Sequence, residues 1–389
     1  MRILVLDANQ RSALAVTRSL GKVATVLTAD DSTKALAGCS RYSSGYTQYP
    51  SPAKTPREFL SWLSAFIKAQ DIDWVFPITE ITSQLILAEP QTLGRAKIPF
   101  APLATVMSLA DKWNLVQLAS SIGVPHPIST YYPNAEAWLS TDITSQRYPV
   151  VIKPCQSRRW LGDCWLETSV HIARSEKQLR QLLTEKDYLH NYPFMLQQYI
   201  DGRGAGIFAL YNKGKPVTFF SHQRLREKPP EGGVSVLSRS VALEPIMLGH
   251  ARALLDAVQW HGVAMVEFRI ATDGTPYLME VNTRFWGSLQ LAIDAGVDFP
   301  ALLYRLSIGE TVEPITSYRT GQQLRWLLGD IDSLYLMLRG KNVSKAQKLR
   351  RLFDFFTPHL FNTRHETNRW DDCGPAWQEL REYLHTLTT

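Results

Sequence analysis

The chain has 389 residues, too many for one ordinary core, so two or three domains are expected. Its 45% hydrophobic and 20% charged content is that of a globular protein. The net charge of +6 comes from 42 basic against 36 acidic residues, with the excess gathered in Arg339 to Arg351; with no nucleic-acid motif or stacking-aromatic pattern beside it, that run reads as a solvated helix face and not as a nucleic-acid or lipid site.

The four cysteines show neither a CxxC nor a Cys/His spacing, so reduced thiols of a cytoplasmic protein are expected, without zinc or a disulfide framework. The opening RILVLD lacks the basic and long apolar regions of a signal peptide. The best apolar run, Leu324 to Leu338, is broken by Gly329, Asp330 and Asp332, so no membrane span is expected.

Along the first hundred residues strands and helices alternate. The pattern predicts strand Ile3–Leu6, a helix over 11–20, strand Ala24–Thr28, a helix over 56–69, strand Trp74–Ile78 and a helix from about Thr82. Short apolar strands separated by helices imply a parallel, doubly wound sheet, hence an α/β class. The first turn, Asp7-Ala8-Asn9-Gln10, lacks the glycines of a dinucleotide fingerprint, which argues against nicotinamide binding. Loop Pro77-Ile78-Thr79-Glu80 lies at a strand's carboxyl end, where such sheets present ligand contacts. Glu80 is a candidate substrate residue there, or else an early-helix charge favoured by the dipole.

Asp111-Lys112 opens a helix that ends near Gly123-Val124-Pro125, where a new unit begins. Strand Val150–Lys153 follows and Pro154 stops it. A lysine ending a buried apolar strand needs an anionic partner, either a ligand or a structural carboxylate. The stretch Cys155 to Asp163 holds one glycine and two adjacent arginines, Arg158 and Arg159. Strands Gly206–Tyr211 and Val217–Ser221 flank the turn Asn212-Lys213-Gly214. Arg224, Arg226 and Lys228 would share one face of an extended segment, either as a clamp for carboxylate or phosphate or as a basic edge strand. Pro229-Pro230-Glu231-Gly232-Gly233 then suits a loop able to move over substrate.

The most telling stretch is Val263 to Ser288, VAMVEFRIATDGTPYLMEVNTRFWGS. Asp273-Gly274 between apolar runs predicts a hairpin. With those two residues central to the turn, Thr272 faces Thr275, Phe268 faces Met279 and Glu267 faces Glu280. Opposed carboxylates repel, so a purely structural hairpin should avoid that pair. Alternation puts Asn282 on the same face, completing an all-oxygen set suited to magnesium bridging nucleotide phosphates. Val266, Phe268, Met279 and Val281 form the opposite, buried face. Arg284, just past the strand, can set a guanidinium beside the same phosphates or an anionic intermediate.

The run EFR…DG…YLMEVNTRFWGS resembles the metal-binding strands of the ATP-grasp superfamily, and FWGSLQLAIDAGVDFP is most similar to its predicted carboligases. The resemblance spans roughly Met1 to Glu310. It implies an ATP-grasp fold with α+β lobes: a Rossmann-like domain over 1–105 and nucleotide- and metal-binding lobes over 106–310; beyond it, 311–389 reads as a helix-rich, aromatic region of unknown role without an ATP-grasp motif. That last region would cap the acceptor site, support a homodimer or simply pack, and packing is preferred. The resemblance also implies ATP and magnesium, or manganese in its place, as cofactors. It assigns Lys112 and Lys153 to the nucleotide, Lys153 at the phosphates, and the hinge FMLQQYIDG, with Gln197, Gln198, Ile200 and Asp201, to the adenosine. Glu267, Glu280 and Asn282 become metal ligands and Arg284 and Lys153 catalytic groups, while Arg224 and Arg226, from strand alternation, and Glu80, from its loop position, are the candidate substrate contacts. Two departures stand out: the phosphate-covering loop after Lys153 has a single glycine, and glutamine replaces the usual hinge glutamate.

The activity implied is activation of a small-molecule carboxylate as an acylphosphate, attacked by an amine or related nucleophile. Such chemistry requires positioning and charge neutralisation and no side-chain nucleophile, so the scattered histidines (His171, His222, His261) read as structural. The alternatives are a bicarbonate-using carboxylase or carbamoyl-phosphate-type enzyme, and a non-catalytic ATP sensor. No nucleic acid or membrane partner is expected.

Overall fold

The computed structural model describes residues 1–140, 146–230, 232–340, 343–356 and 362–388. Glu231 of the proline-glycine loop and Lys341 and Asn342 of the basic run lie outside the described residues.

The N-terminal sheet is parallel. Strands β1 (Arg2–Val5), β2 (Thr25–Asp30), β3 (Gly45–Gln48) and β4 (Trp74–Phe76) stand in the order β3-β2-β1-β4. Side chains alternate along β1. Ile3 and Val5 join the core of helix α1 (Arg11–Leu20), while Leu4 and Leu6 meet Phe59, Leu63 and Ile67 of the helix Pro56–Gln70. Each such side chain contributes about 1.5–3 kcal/mol on full burial, so the strand is held from both faces. The edge strand β3 escapes the sequence reading because its GYTQ is polar and half-exposed. Asp7 follows β1 in the left-handed region at φ 56°. Its buried carboxylate accepts the N–H groups of Ile78 (2.9 Å) and Thr79 (2.7 Å) and the Thr82 hydroxyl (2.6 Å), which fixes the loop before the helix Glu80–Ala88.

A second lobe follows: β5 (Ser129–Tyr132), β6 (Val150–Pro154), the hairpin β7 (Arg158–Trp160) and β8 (Trp165–Glu167), β9 (His171–Ala173) and β10 (Phe194–Gln198). Its sheet runs β5-β10-β6-β9 and is antiparallel. Val150, Ile152, Phe194 and Leu196 face a core with Trp138, Leu179 and Leu183. Alternation turns Lys153 and Gln197 to the other face.

The third sheet has seven strands: β11 (Gly202–Asn212), β12 (Lys215–Lys228), β13 (Val234–Ser240), β14 (Gly262–Ala271), β15 (Pro276–Asn282), β16 (Gln323–Arg325) and β17 (Thr363–His365), in the order β15-β14-β11-β12-β13-β16-β17. Ile207, Ala209, Val266 and Phe268 pack on the helices Leu103–Ala110, Lys112–Ser121 and Pro245–Ala257. Phe208, Phe220 and Met265 pack instead with α1, Trp286 and the helices Leu289–Ala295 and Phe299–Ser307.

Helices Leu327–Arg339, Lys345–Phe356 and Gly374–Thr388 make the C-terminal region helix-rich, and its β17, pairing in parallel with β16, extends the central sheet. The region is also clamped to α1. Arg18 donates to Asp372 (2.7 Å) and to the carbonyls of Glu366 (2.6 Å) and Thr367 (3.0 Å). The basic run is not wholly a solvated face, since Arg351 is buried on Asp330 at 2.5 Å. All four cysteines are free. Among the described residues no helix is long and apolar enough to cross a membrane.

Candidate active site

Glu267 faces Glu280 across β14 and β15, although two steps of the path differ from simple counting. The turn is wider by one residue than a two-residue hairpin: Ala271 bonds to Thr275, and Gly274 takes φ 87°. Phe268 therefore pairs with Leu278, not Met279, and Leu278 takes the buried place expected of Met279. A bulge between Glu267 and Phe268 then absorbs Met279 and restores the glutamate pair. The Asn282 amide nitrogen donates to Glu267 (3.1 Å) and Glu280 (3.2 Å), bridging the two carboxylates. Rotating that amide would turn its oxygen to the same point, so the three side chains form a hard-oxygen set that fits a divalent cation. Among the described residues no group of three His, Cys, Asp or Glu side chains converges as a metal site, which leaves this mixed set as the candidate.

The electrostatics of the pair are unequal. Burial and then Glu280 push the Glu267 carboxyl above its ordinary range, against the pull of Arg224. Burial raises the Glu280 carboxyl, but Lys153, Lys112, the Asn282 amide and Arg284 together outweigh it and hold that carboxyl below its ordinary range. Lys153 crosses from β6 to the metal strands, where its Nζ donates to the carbonyl of Met279, the bulge residue, at 2.7 Å. Burial lowers its pKa to about 8, with Lys112 adding to the effect and Glu280 opposing it. Among the described residues no carboxylate lies within ion-pair distance of Lys153, so the structural salt bridge weighed for it is not formed. Lys112, also buried, donates to the Ser157 hydroxyl at 2.7 Å.

Two nominal twins separate. Gln197 is buried on the Lys153 face and donates to the Ser129 hydroxyl at 3.0 Å, whereas Gln198 is exposed on the opposite face, so the structure does not bring it to the lysines. Ile200 is buried and Asp201 exposed in the link to β11. Arg224 and Arg226 also part. A bulge pairs Arg224 with Ser238 but Arg226 with Leu237, successive residues that face opposite sides. Arg224 reaches Glu267 at 3.1 Å, past Gly204, where a Cβ would lie 3.9 Å from its Nη1. Arg226 instead pairs with the fully buried Asp330 at 2.8 Å, alongside Arg325 (2.7 Å) and Arg351 (2.5 Å), and Lys228 pairs with Asp332. The expected three-residue clamp is thus reduced to Arg224. Glu80 stays in the first turn of its helix, where its carboxylate accepts from Gln84 at 2.9 Å.

Residues 190–329 match the family model described as ATP-grasp in the biosynthetic pathway with Ter operon. Of solved structures, L-amino acid ligase from Bacillus licheniformis superposes with a TM-score of 0.64 at 16% identity, covering 83% of this chain and 78% of that one. This chain has the ATP-grasp fold. Biotin carboxylase from Campylobacter jejuni gives a TM-score of 0.66 at 15% identity over 82% of this chain and 74% of its own. N5-carboxyaminoimidazole synthetase from Staphylococcus aureus, complexed with ADP, gives 0.65 at 15% over 88% and 85%. A search of curated proteins returned no match.

The segment after Lys153 in this ATP-grasp chain is a docked hairpin. Trp160 and Trp165 form a tilted ring pair at 5.2 Å and pack on the N-terminal lobe, and the Trp165 indole donates to the Pro52 carbonyl at 3.1 Å. Arg158 pairs with Glu167 (2.6 Å) and Arg159 lies over Tyr192, so neither guanidinium is held toward the lysines as a phosphate clamp.

Beyond the carboxylates lies a cavity of about 370 Å³, into which Arg224 and Arg284 project beside His222, Trp286 and Ser288. It also admits Arg11, the first residue of α1. Sequence reading missed Arg11, which sits outside every motif, and dismissed His222. The His222 ring is buried, stacks on Phe208 at 4.7 Å and meets the Ser288 hydroxyl at 3.1 Å. Burial and then Arg224 push its pKa down to about 3, so it stays neutral at physiological pH.

Proposed function

We propose that the chain is an ATP-dependent ligase that activates a small-molecule carboxylate. The carboxylate takes the γ-phosphoryl group of ATP, ADP leaves, and an amine or related nucleophile displaces phosphate from the acylphosphate. The observation that carries this reading is the meeting of Lys153 from one lobe with the Glu267, Glu280 and Asn282 set of the other through the Met279 carbonyl.

In this reading Lys112 and Lys153 bind the nucleotide phosphates, and Gln197, Ile200 and Asp201 belong to the adenosine side. Lys153, bonded to the Met279 carbonyl and ion-paired to no carboxylate among the described residues, gains an anionic partner for its buried ammonium. Glu267, Glu280 and Asn282 hold magnesium, which when bound neutralises phosphate charge and orients the transferring group. Arg284 lines the cavity and stabilises the anionic intermediate, while Arg224 binds the acid. No side chain has to act as nucleophile, so the work is positioning and charge. The test is ADP release that depends on an added acid and disappears in Lys153→Ala. A nucleotide sensor is the second reading. It is favoured by the tethered β7–β8 hairpin, which stands where a mobile glycine-rich loop is expected, and it predicts ATP binding without acid-stimulated ADP release.

A further inference from the structure

Arg11 reaches the cavity from the N-terminal lobe, remote in sequence from every other residue that lines it. Its guanidinium is held from behind by the C-terminal region. Nη1 donates to the Glu366 carboxylate at 2.5 Å, and the plane lies 3.9 Å from the Trp326 ring centroid. Trp326 is itself braced, its indole N–H donating to Glu379 at 2.6 Å, while the other oxygen of Glu379 accepts from Thr367 at 2.6 Å. Nη2 points toward Gly287, where a Cβ would stand 3.6 Å away. Gly287 is three residues beyond Arg284, so both guanidinium groups border the same FWGS segment.

Only one nitrogen of Arg11 is committed to Glu366, and a guanidinium offers five N–H donors in a planar fork. A fork stacked on an indole and pinned at one corner loses little freedom on binding an oxyanion. The donors around the cavity point the same way. Its lining carries three guanidinium groups, Arg11, Arg224 and Arg284, and two carboxylates, Glu267 and Glu280, while Glu366 pairs with Arg11 from behind and Glu227 with Arg224 at 3.3 Å. A cation on Glu267 and Glu280 leaves the N–H donors that Glu366 does not take, and those of Arg284, facing whatever acid enters. They are more than the one carboxylate that is activated can accept from.

We propose that Arg11 selects the acid substrate by binding a second anionic group on it, so that the substrates are dianionic acids, and that Glu366 and Trp326 are positioning residues through which the C-terminal region shapes specificity. This rests on the ligase reading above. Arg11 and Glu366 lie outside residues 190–329, the segment that matches the family model, and Trp326 lies near its end.

The direct test is calorimetry of the full chain with magnesium and ADP, titrated with succinate or glutarate and, as controls, butyrate or valerate. The wild type should bind a dicarboxylate at least about tenfold more tightly than the monocarboxylate of equal length, the gain expected of a bidentate, charge-assisted contact. Arg11→Gln should erase that difference, Arg11→Lys should restore part of it, and all variants should keep the wild-type affinity for ADP. Glu366→Gln should give an intermediate loss confined to the acid, raising its KM and leaving kcat and the KM for ATP in place. Circular dichroism melts identify a variant that has not folded, in which case Arg11→Lys alone decides. Equal binding of the two acid classes by the wild type, failure of both to bind, or a preference that survives Arg11→Gln would each overturn the proposal. A preserved dicarboxylate preference with no acid-stimulated ADP release would instead retain the Arg11 assignment and remove the ligase reading.

Discussion

The Lys153 ammonium donates to the Met279 carbonyl at 2.7 Å, joining the two lobes at the residue that the β15 bulge sets out of the ladder. A bulge leaves a peptide group without its regular cross-strand partner, and here the buried lysine uses it. The irregularity therefore positions a charged group, and it does so beside the carboxylates Glu267 and Glu280.

That environment predicts a pH dependence. The free protein holds Lys153 near a pKa of about 8, mainly through burial. Phosphate binding needs the protonated form, so kcat/KM for ATP should be flat below that pH and fall about tenfold per unit above it. Lys153→Arg, always charged, should flatten the profile even if it lowers the plateau. An unchanged alkaline limb in that variant would assign the titration to another group.

The two metal-site carboxylates should behave differently on substitution. Glu280 is held in its ionised form by Lys153 and Lys112, whereas Glu267 is raised by burial and by Glu280. Glu280→Gln should lower the melting temperature of the metal-free protein, because Lys153 loses the carboxylate that most favours its charge. Glu267→Gln should leave it in place or raise it, by relieving repulsion. Both should abolish magnesium-dependent ADP release. Thermal melts with EDTA and with magnesium and ATP separate the effects, and equal melting shifts for the two variants would contradict this electrostatic account.

Asp330, fully buried, receives Arg226, Arg325 and Arg351. Asp330→Ala should destabilise the fold by about 3–5 kcal/mol in urea unfolding, since it strands three guanidinium groups. Arg226→Ala should likewise cost stability and leave the KM for the acid near wild type, while Arg224→Ala should raise that KM with little change for ATP. An increase in acid KM in both arginine variants, with stability intact, would return Arg226 to the substrate side.

The same residues show what the sequence could disclose. The parallel N-terminal sheet and the Glu267, Glu280 and Asn282 grouping were legible because periodicity reports which face a side chain takes. Glu267 was paired with Glu280 correctly for incomplete reasons: the wider turn shifts the register by one residue and the bulge at Met279 shifts it back. Local spacing carries no mark of either. The bulge at Leu225 was equally silent, and it sent Arg226 away from Arg224. Gln197 and Gln198 differ only by strand parity, which an uncertain boundary cannot assign. Arg11 was beyond reach, because its place depends on contacts with Trp326 and Glu366, more than three hundred residues away.

The central claim is that an acid becomes an acylphosphate, and hydroxylamine interception tests it most directly. The carboxylate attacks the γ-phosphorus, ADP departs, and the nitrogen of hydroxylamine displaces phosphate to leave a hydroxamate. The protein would be incubated with ATP, magnesium, hydroxylamine and pooled small carboxylic acids, with ADP and hydroxamate mass recorded. The account predicts ADP and hydroxamate in equal amounts, dependent on one acid pool and absent in Lys153→Ala, which removes charge from the transferring phosphoryl group. ATP binding with no acid-stimulated ADP release across all pools, or ADP release that needs bicarbonate alone, would contradict it.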